Sequence, residues 1–526
     1  MNPSQHESKE NAATDATPQE LVGAPFLAPL VVEENETILG ATQGDPLLNG
    51  AQIVEEAEEI LREGAPHDFD VLVIGGGPGG YVAAIRAAQL GAHVALVEAR
   101  ELGGVCLHRG CIPTKTLLES VDVMRLLKRA GDYGIATGGD FKLDFVRLNA
   151  RKREVIAQME SYIARLLKEN GVEVLQGHAR FVEEHKVEIS RAGTEEKRVV
   201  SAVNIIVAVG SLPARLPVPG HDLPGVITSD ELLAGEVEAR DIVVVGAGAV
   251  GVEFAYLFQQ MGAKTVLLER ANRVMPQEDE EIGAEMTRLL REFGLEVVTE
   301  ATLEKIEESP NGLEVFYTRN GVTHQSSTRN VLMAAGRRAN SDELGLDSIG
   351  LKNEKGKIVV DAHCQTNVSG VYAIGDCTRE AGWVHLASAE GTMVAELVTK
   401  NAVTIDLRHV PSCYYTHPEV ARVGRTREQA EKEGFKVRVG NFSFRQNGRA
   451  ASAGEHDGFV KIVVDDANDK LLGCQIIGPR ATDLISEAVL ALKIGQTVDE
   501  MVGAIHAHPT FSEALPEAAL AARKKS

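Results

Sequence analysis

The stretch 69-FDVLVIGGGPGGYVAAIRAAQLGAHVALVE-98 decides the fold. Phe69–Ile74 is a short apolar run of strand-forming residues. A glycine-rich turn and a helical stretch follow it, and residues 93–98 form a second apolar run. Strand, turn, helix and strand in this order make the parallel βαβ unit. Gly75, Gly77 and Gly80 set the pattern GxGxxG at its turn. The first glycine permits the tight turn, the second lets a pyrophosphate approach the backbone, and the third lets the helix pack on the strand. The helix N-terminus presents unpaired N–H groups and a positive dipole end to the phosphates. Glu98 closes the second strand, where a carboxylate accepts ribose hydroxyls.

The pattern returns at 241-DIVVVGAGAVGVEFAYLFQQMGAKTVLLE-269, with Gly246, Gly248, Gly251 and Glu269 in the same roles. A carboxylate at Glu269 favours the free 2′-hydroxyl of NAD and repels the 2′-phosphate of NADP, although Arg270 and Arg273 stand close by. Two dinucleotide sites imply two dinucleotides, and FAD with NAD is the natural pair because hydride passes between them. Between the copies, strand-like segments at 172–176 and 203–209 alternate with turns. Beyond about residue 409 the texture changes. Residues 459–464 and 471–477 read as antiparallel strands about the polar turn 465–470, with a helical stretch at 484–494. The expected fold class is α/β: two Rossmann-like dinucleotide-binding domains and a separate C-terminal α+β domain.

Composition bounds the function. The chain has 526 residues, 44% hydrophobic and 25% charged, the balance of a multidomain globular protein. Its net charge of −22 argues against nucleic acid or an anionic membrane as the main partner. No run of 18 apolar residues suggests a membrane span. The apolar stretch 21-LVGAPFLAPLVV-32 is short and follows acidic sequence, and the first arginine is Arg62, so neither an export signal nor a mitochondrial leader is expected. Six cysteines make no disulfide scaffold; the reading is a cytoplasmic protein in which a disulfide is working chemistry. Residues 1–66 carry 13 acids against Lys9 and Arg62. They read as an acidic extension, disordered at its start, with a short amphipathic helix at 52–63.

The sharpest motif is 104-GVCLHRGCIPTK-115. In a regular helix, cysteines five apart lie about 8–9 Å apart at Cα on different faces, beyond the reach of about 7 Å that a disulfide allows. If Cys106 and Cys111 pair, the helix breaks between them, which Gly110 permits. A bridge so constrained is readily reduced, and beside a flavin site it reads as a redox centre. Two buried free thiols or half a zinc site are the other readings. No second Cys or His pair at ligand spacing accompanies the motif, so no metal is expected. Cys364, Cys377, Cys413 and Cys474 read as inert core thiols. Near the C-terminus, 506-HAHPTFSE-513 offers a histidine with a carboxylate five residues on. Such a pair can hold one tautomer and act as acid–base near neutrality, as thiol exchange requires.

Together these four features resemble the flavoprotein disulfide reductases, most closely their dihydrolipoyl dehydrogenase branch. The likeness spans residue 68 to about 520 and includes TNVSGVYAIGD at 366–376, AGRRAN at 335–340, YTHPEV at 415–420 and NGRA at 447–450. The resemblance assigns the first glycine motif to FAD and the second to NAD. It implies that Asp376 contacts the flavin's ribityl chain, that Gly336 lies at the cofactor cleft, and that Lys115 sits near flavin N5 paired with Glu253. It further implies a homodimer in which His508, held by Glu513, serves the partner's Cys106. The domains it implies are an FAD-binding domain from 67–213 and 339–408, an NAD-binding domain at 214–338, and a dimerisation domain at 409–526. The implied reaction is oxidation of dihydrolipoamide on lipoyl domains of a 2-oxoacid dehydrogenase or glycine cleavage complex.

Departures from the family narrow the choice. His108-Arg109 stands where Asn-Val is commoner, and Ala208-Val209-Gly210 where Ala-Thr-Gly is usual. The extension lacks the lysine of a lipoyl-attachment domain, and no terminal Cys pair suggests a mercuric reductase. Glu269 argues against an NADPH-dependent glutathione reductase. The alternatives are an NAD(P)H-dependent reductase of another disulfide and a non-catalytic docking subunit whose acidic arm is the working part.

Overall fold

A computed structural model describes residues 67–523 apart from Ala192, Glu380 and Ala381. The acidic extension, with its expected disorder and helix, lies outside the described residues.

Three sheets carry the architecture. In the first, Glu173–Gln176, Val94–Glu98, Phe69–Ile74, Lys197–Val207 and Val371–Ala373 lie side by side and parallel. Lys186–Ser190 adds antiparallel to the first half of Lys197–Val207, and His178–Glu183 adds antiparallel to Lys186–Ser190. Phe69–Ile74 is buried at every position but Asp70, the signature of a parallel strand covered on both faces. Helix α1 (Pro78–Gln89) covers it, and Val384–Val398 packs on α1. After the second strand come α2 (Gly104–Arg109), α3 (Cys111–Lys128) and the long α4 (Phe145–Glu169) alongside. Val371–Ala373 returns to this sheet from far along the chain, pairing Val371 with Ile205.

The second sheet repeats the plan. Glu296–Val298, Thr265–Leu268, Ile242–Val245, Asn330–Met333 and Val226–Thr228 are all parallel. Its entry helix α5 (Ser229–Ala234) is closed by a capping box from Thr228 to Glu231. Helix α6 (Ala249–Gln260) follows the second glycine motif and is buried along most of its length. Ser211–Pro213 and Arg337–Ala339 pair antiparallel where the chain enters and leaves this part.

The third sheet runs antiparallel in the order Ser412–Tyr414, Glu419–Gly424, Leu471–Gly478, Phe459–Asp465 and Val437–Ser443. The hairpin about 465–470 forms as expected, and the expected helix begins a little earlier, at Ala481–Ile494. Leu471–Gly478 does not alternate in burial. Ala481–Ile494 packs on this strand, while Lys461 of the neighbouring strand is buried in ion pairs with Asp279 and Glu281 of the preceding part. Among the described residues, no helix is long and apolar enough to cross a membrane.

Candidate active site

The two glycine motifs have the same local geometry. Gly75 and Gly246 turn with φ of +107° and +101°, a conformation in which a side chain would be strained. A Cβ on Gly80 or Gly251 would strike the carbonyl oxygen of Gly75 or Gly246, so helix and strand touch there. The middle glycine differs. A Cβ on Gly248 would meet nothing within 4 Å, and one on Gly77 only Gly104 Cα at 4.0 Å. Both residues are N-caps without a side-chain cap, so the first N–H groups of α6, and those of α1 after Pro78, have no capping side chain. An open cradle over uncapped helix N–H groups fits a pyrophosphate in each motif. Gly336, at φ +119°, likewise has no atom near its Cβ position.

The strand-end carboxylates brace these loops. Glu98 accepts from Gly76 N at 2.6 Å and Arg100 N at 2.7 Å. Glu269 accepts from Ala247 N and Ala271 N, each at 2.7 Å. Each carboxylate oxygen keeps a further lone pair for a ribose hydroxyl. Asp376 follows Val371–Ala373 and takes the Ser211 hydroxyl at 2.7 Å and Gly382 N at 2.9 Å.

The cysteines meet across the break that their spacing requires. Cys106 lies on α2, Cys111 opens α3, and Gly110 interrupts the helix at φ −151°, ψ −114°. A Cβ on Gly110 would lie 3.0 Å from Val105 O, so glycine lets the chain double back here. Both cysteines are free thiols, and each lies close enough to shift the other's pKa. The bond from Cys106 lowers the Cys111 pKa; burial opposes this and the Lys115 ammonium adds to it. Cys106 moves the other way, raised by its bond to Cys111 and by burial. Of the two thiols, Cys111 is therefore the easier to deprotonate.

Lys115 Nζ lies 2.7 Å from Glu253 Oε2, joining α3 to α6. Burial disfavours the Lys115 charge, but Glu253 and Cys111 outweigh it and the pKa is raised. Tyr415, which the sequence reading missed as a site residue, completes this corner. Its ring lies 4.5 Å from Lys115 Nζ, and its N–H donates to Glu253 Oε1 at 3.0 Å. Tyr81, one residue past the first glycine motif, was also missed. Burial pushes its phenol up to about 12, and the neighbouring Cys106 and Cys111 add to the shift. Both tyrosines lie in quoted motif stretches, but neither carried a spacing signal of its own.

The two C-terminal histidines differ in setting. His506 is mostly buried and pairs with Glu487 at 2.8 Å. His508 Nδ1 meets Glu513 Oε1 at 2.8 Å, and the other Glu513 oxygen accepts Thr510 N at 2.8 Å. The His508 side chain is 78% exposed on the single chain, and Ile505 beside it is fully exposed. Of the other cysteines, Cys364, Cys377 and Cys474 are buried, while Cys413 is only half-buried and lies close enough to Lys115 to feel its charge.

Residues 69–391 match the model of the pyridine nucleotide-disulphide oxidoreductases, and residues 410–519 match the dimerisation domain of the same proteins. The chain belongs to the pyridine nucleotide-disulphide oxidoreductase family. It is 39% identical to a dihydrolipoyl dehydrogenase of Bacillus subtilis, over 87% of this chain and 99% of that one. It is 38% identical to that of Geobacillus stearothermophilus, over 86% and 96%. Among solved structures it resembles LpdA from Mycobacterium tuberculosis, with TM-score 0.79, 26% identity and coverage of 86% and 99%. It also resembles the HOCl-induced flavoprotein disulfide reductase RclA from Escherichia coli, with TM-score 0.76, 26% identity and coverage of 86% and 100%. As a member of this family the chain is a flavoprotein oxidoreductase, uses FAD and NAD, and is a homodimer.

Proposed function

We propose that this chain is a dihydrolipoyl dehydrogenase, oxidising protein-bound dihydrolipoamide to lipoamide as NAD is reduced to NADH. The observation that carries the reading is the cysteine pair brought together across a broken helix, with Cys111 the more acidic thiol beside Lys115. The 39% identity over 99% of the Bacillus subtilis enzyme gives the substrate.

Gly75, Gly77, Gly80, Glu98 and Asp376 hold FAD, within a domain built from 67–213 and 339–408. Gly336 lies at the edge of that cleft. Gly246, Gly248, Gly251 and Glu269 hold NAD, within 214–338. The return of Val371–Ala373 to the first sheet supports the split FAD domain. When bound, FAD supplies the two-electron acceptor between the cysteine pair and NAD.

In the oxidised pair, a substrate thiolate attacks Cys106 Sγ. The Cys106–Cys111 bond breaks, and Cys111 leaves as a thiolate. The charge preference seen in the dithiol supports this choice of leaving group. His508 of the partner subunit takes the substrate proton at Nε2, because Glu513 occupies its Nδ1 face. The second substrate thiol attacks the substrate sulfur of the mixed disulfide, and its proton passes to the departing Cys106 sulfur. Lipoamide closes its ring, and Cys106 is released as a thiol. Two electrons have then moved from substrate to the pair, which is poised to pass them on. The exposure of His508 and Ile505, in the part that matches a dimerisation domain, supports a site completed between subunits.

The partners are lipoyl domains of a 2-oxoacid dehydrogenase or glycine cleavage complex, and the setting is the cytoplasm. The test is turnover of dihydrolipoamide with NAD and with NADP, beside oxidised glutathione with both reduced nucleotides. The expected result is dihydrolipoamide with NAD ahead of every other pair by at least about a hundredfold. Faster turnover of glutathione would replace lipoamide by another disulfide substrate.

A further inference from the structure

Arg109 stands between the cysteines, where the resembling family commonly has valine, and nothing in the proposed chemistry uses it. The helix it ends, α2, has only six residues. Glycines bound it on both sides: Gly103 and Gly104 at φ +96° and +59°, and Gly110 at the break. Backbone bonds hold so short a helix only near its glycine joints, as in Gly103 N to Gly76 O at 2.9 Å. Side chains add to this hold. Leu107 is buried beneath it, and His108 Nε2 donates to Leu102 O at 2.8 Å. Arg109 reaches two carboxylates, Glu101 at 3.1 Å and Asp230 at 3.9 Å.

Asp230 belongs to α5, the entry helix of the second sheet. Its other oxygen faces Arg337 at 3.7 Å. Arg337 donates to the Ser211 hydroxyl at 2.8 Å, and that hydroxyl donates to Asp376 at 2.7 Å. The row Arg109, Asp230, Arg337, Ser211 and Asp376 thus runs from the helix of Cys106 to the paired strands that join the two nucleotide-binding parts. Arg109 and Asp230 are only 15% and 16% exposed. Arg109 Nε and Asp230 Oδ1 are buried without a hydrogen-bond partner, so the tether acts through charge at close range.

We propose that Arg109 is a positioning residue for the cysteine pair: by its pull on Asp230 it anchors the glycine-hinged helix of Cys106 and keeps that sulfur within reach of Cys111. The proposal rests on the reading of Cys106 and Cys111 as the redox pair.

The equilibrium of the pair with glutathione measures how closely the protein holds its sulfurs. The reaction is protein dithiol plus oxidised glutathione giving protein disulfide plus two reduced glutathiones. It is followed in the holoenzyme by alkylation and mass spectrometry of the Cys106–Cys111 peptide. Arg109→Val lowers the effective thiol concentration about tenfold. Asp230→Asn produces a similar fall, and the double variant falls no further, because the two residues act as one tether. Arg109→Lys recovers part of the loss, since it keeps the charge and loses the fork. Values for Arg109→Val and Asp230→Asn within twofold of the parent overturn the proposal, as does full additivity in the double variant. If Arg109→Val does not fold, Asp230→Asn decides alone by the same limit. A parent chain that forms no disulfide at any glutathione ratio overturns both this proposal and the redox reading beneath it.

Discussion

Lys115 and Glu253 lie 138 residues apart in sequence and meet at 2.7 Å, one on the helix opened by Cys111 and the other on the helix of the second glycine motif. This contact places a cation beside Cys111, the more acidic thiol of the pair. It joins the two nucleotide-binding parts at one corner, where Tyr415, just past the strand Ser412–Tyr414, donates its N–H to the same carboxylate.

Opposite substitutions at this pair move Cys111 in opposite directions. Lys115→Met removes the cation that lowers the Cys111 pKa, so its thiolate forms at higher pH. Glu253→Gln removes a charge that raises it, so its thiolate forms at lower pH. Alkylation of Cys111 in the dithiol protein, followed against pH, reads both shifts. Glu253→Ala also leaves Lys115 without its partner and lowers unfolding stability by about 3 kcal/mol in urea titrations.

Cys111→Ser abolishes lipoamide turnover by at least about a thousandfold while FAD stays bound, since the chain loses the leaving sulfur and no cofactor contact. His508→Ala lowers kcat about 10²–10⁴-fold, the usual contribution of a general base. Steady-state rates and the flavin absorbance of the purified proteins check both. Full lipoamide activity in either variant would remove that residue from the mechanism.

Gly248→Ala separates cofactor binding from folding. Its φ of −75° suits alanine, and the added Cβ meets no protein atom within 4 Å. Stability by denaturant titration stays within about 0.5 kcal/mol. The KM for NAD rises about tenfold or more, because the methyl occupies the face that the pyrophosphate approaches. Unchanged KM would move the pyrophosphate elsewhere.

Glu455 contributes a stability that acid removes. Burial opposes its charge, but His417 at 2.9 Å and Arg125 at 3.2 Å outweigh burial and hold its pKa at about 2. A depressed carboxylate pKa stabilises the fold above the unfolded value near 4.5 and loses that contribution as pH falls toward 2. Glu455→Gln therefore destabilises the protein at pH 6 by about 2–3 kcal/mol and flattens its stability profile between about pH 4.5 and 2. Denaturant titrations across that range show the difference in slope.

Much of the fold was legible because it is written locally. Phe69–Ile74 and Ile242–Val245 are unbroken apolar runs ending in GxGxxG, and such runs have few other stable environments than a parallel strand. The break between Cys106 and Cys111 was legible too, since helix geometry keeps residues five apart from touching unless the helix stops at Gly110. The roles of Tyr415, Ser211 and Asp230 were not. Each acts through a partner more than a hundred residues away, and no spacing rule reports such a distance.

The amino-acid order alone determined two phosphate cradles, a cysteine pair that must bend its own helix, and a histidine with a carboxylate to orient it, because each depends on φ/ψ preferences and contacts within a few residues. Only the tertiary structure decided which cysteine is the more acidic, which of the two histidines stands exposed, and which helix Arg109 faces. Those outcomes depend on electrostatics between groups that the chain brings together only when its sheets pack, and the strength of a charge is set by what surrounds it.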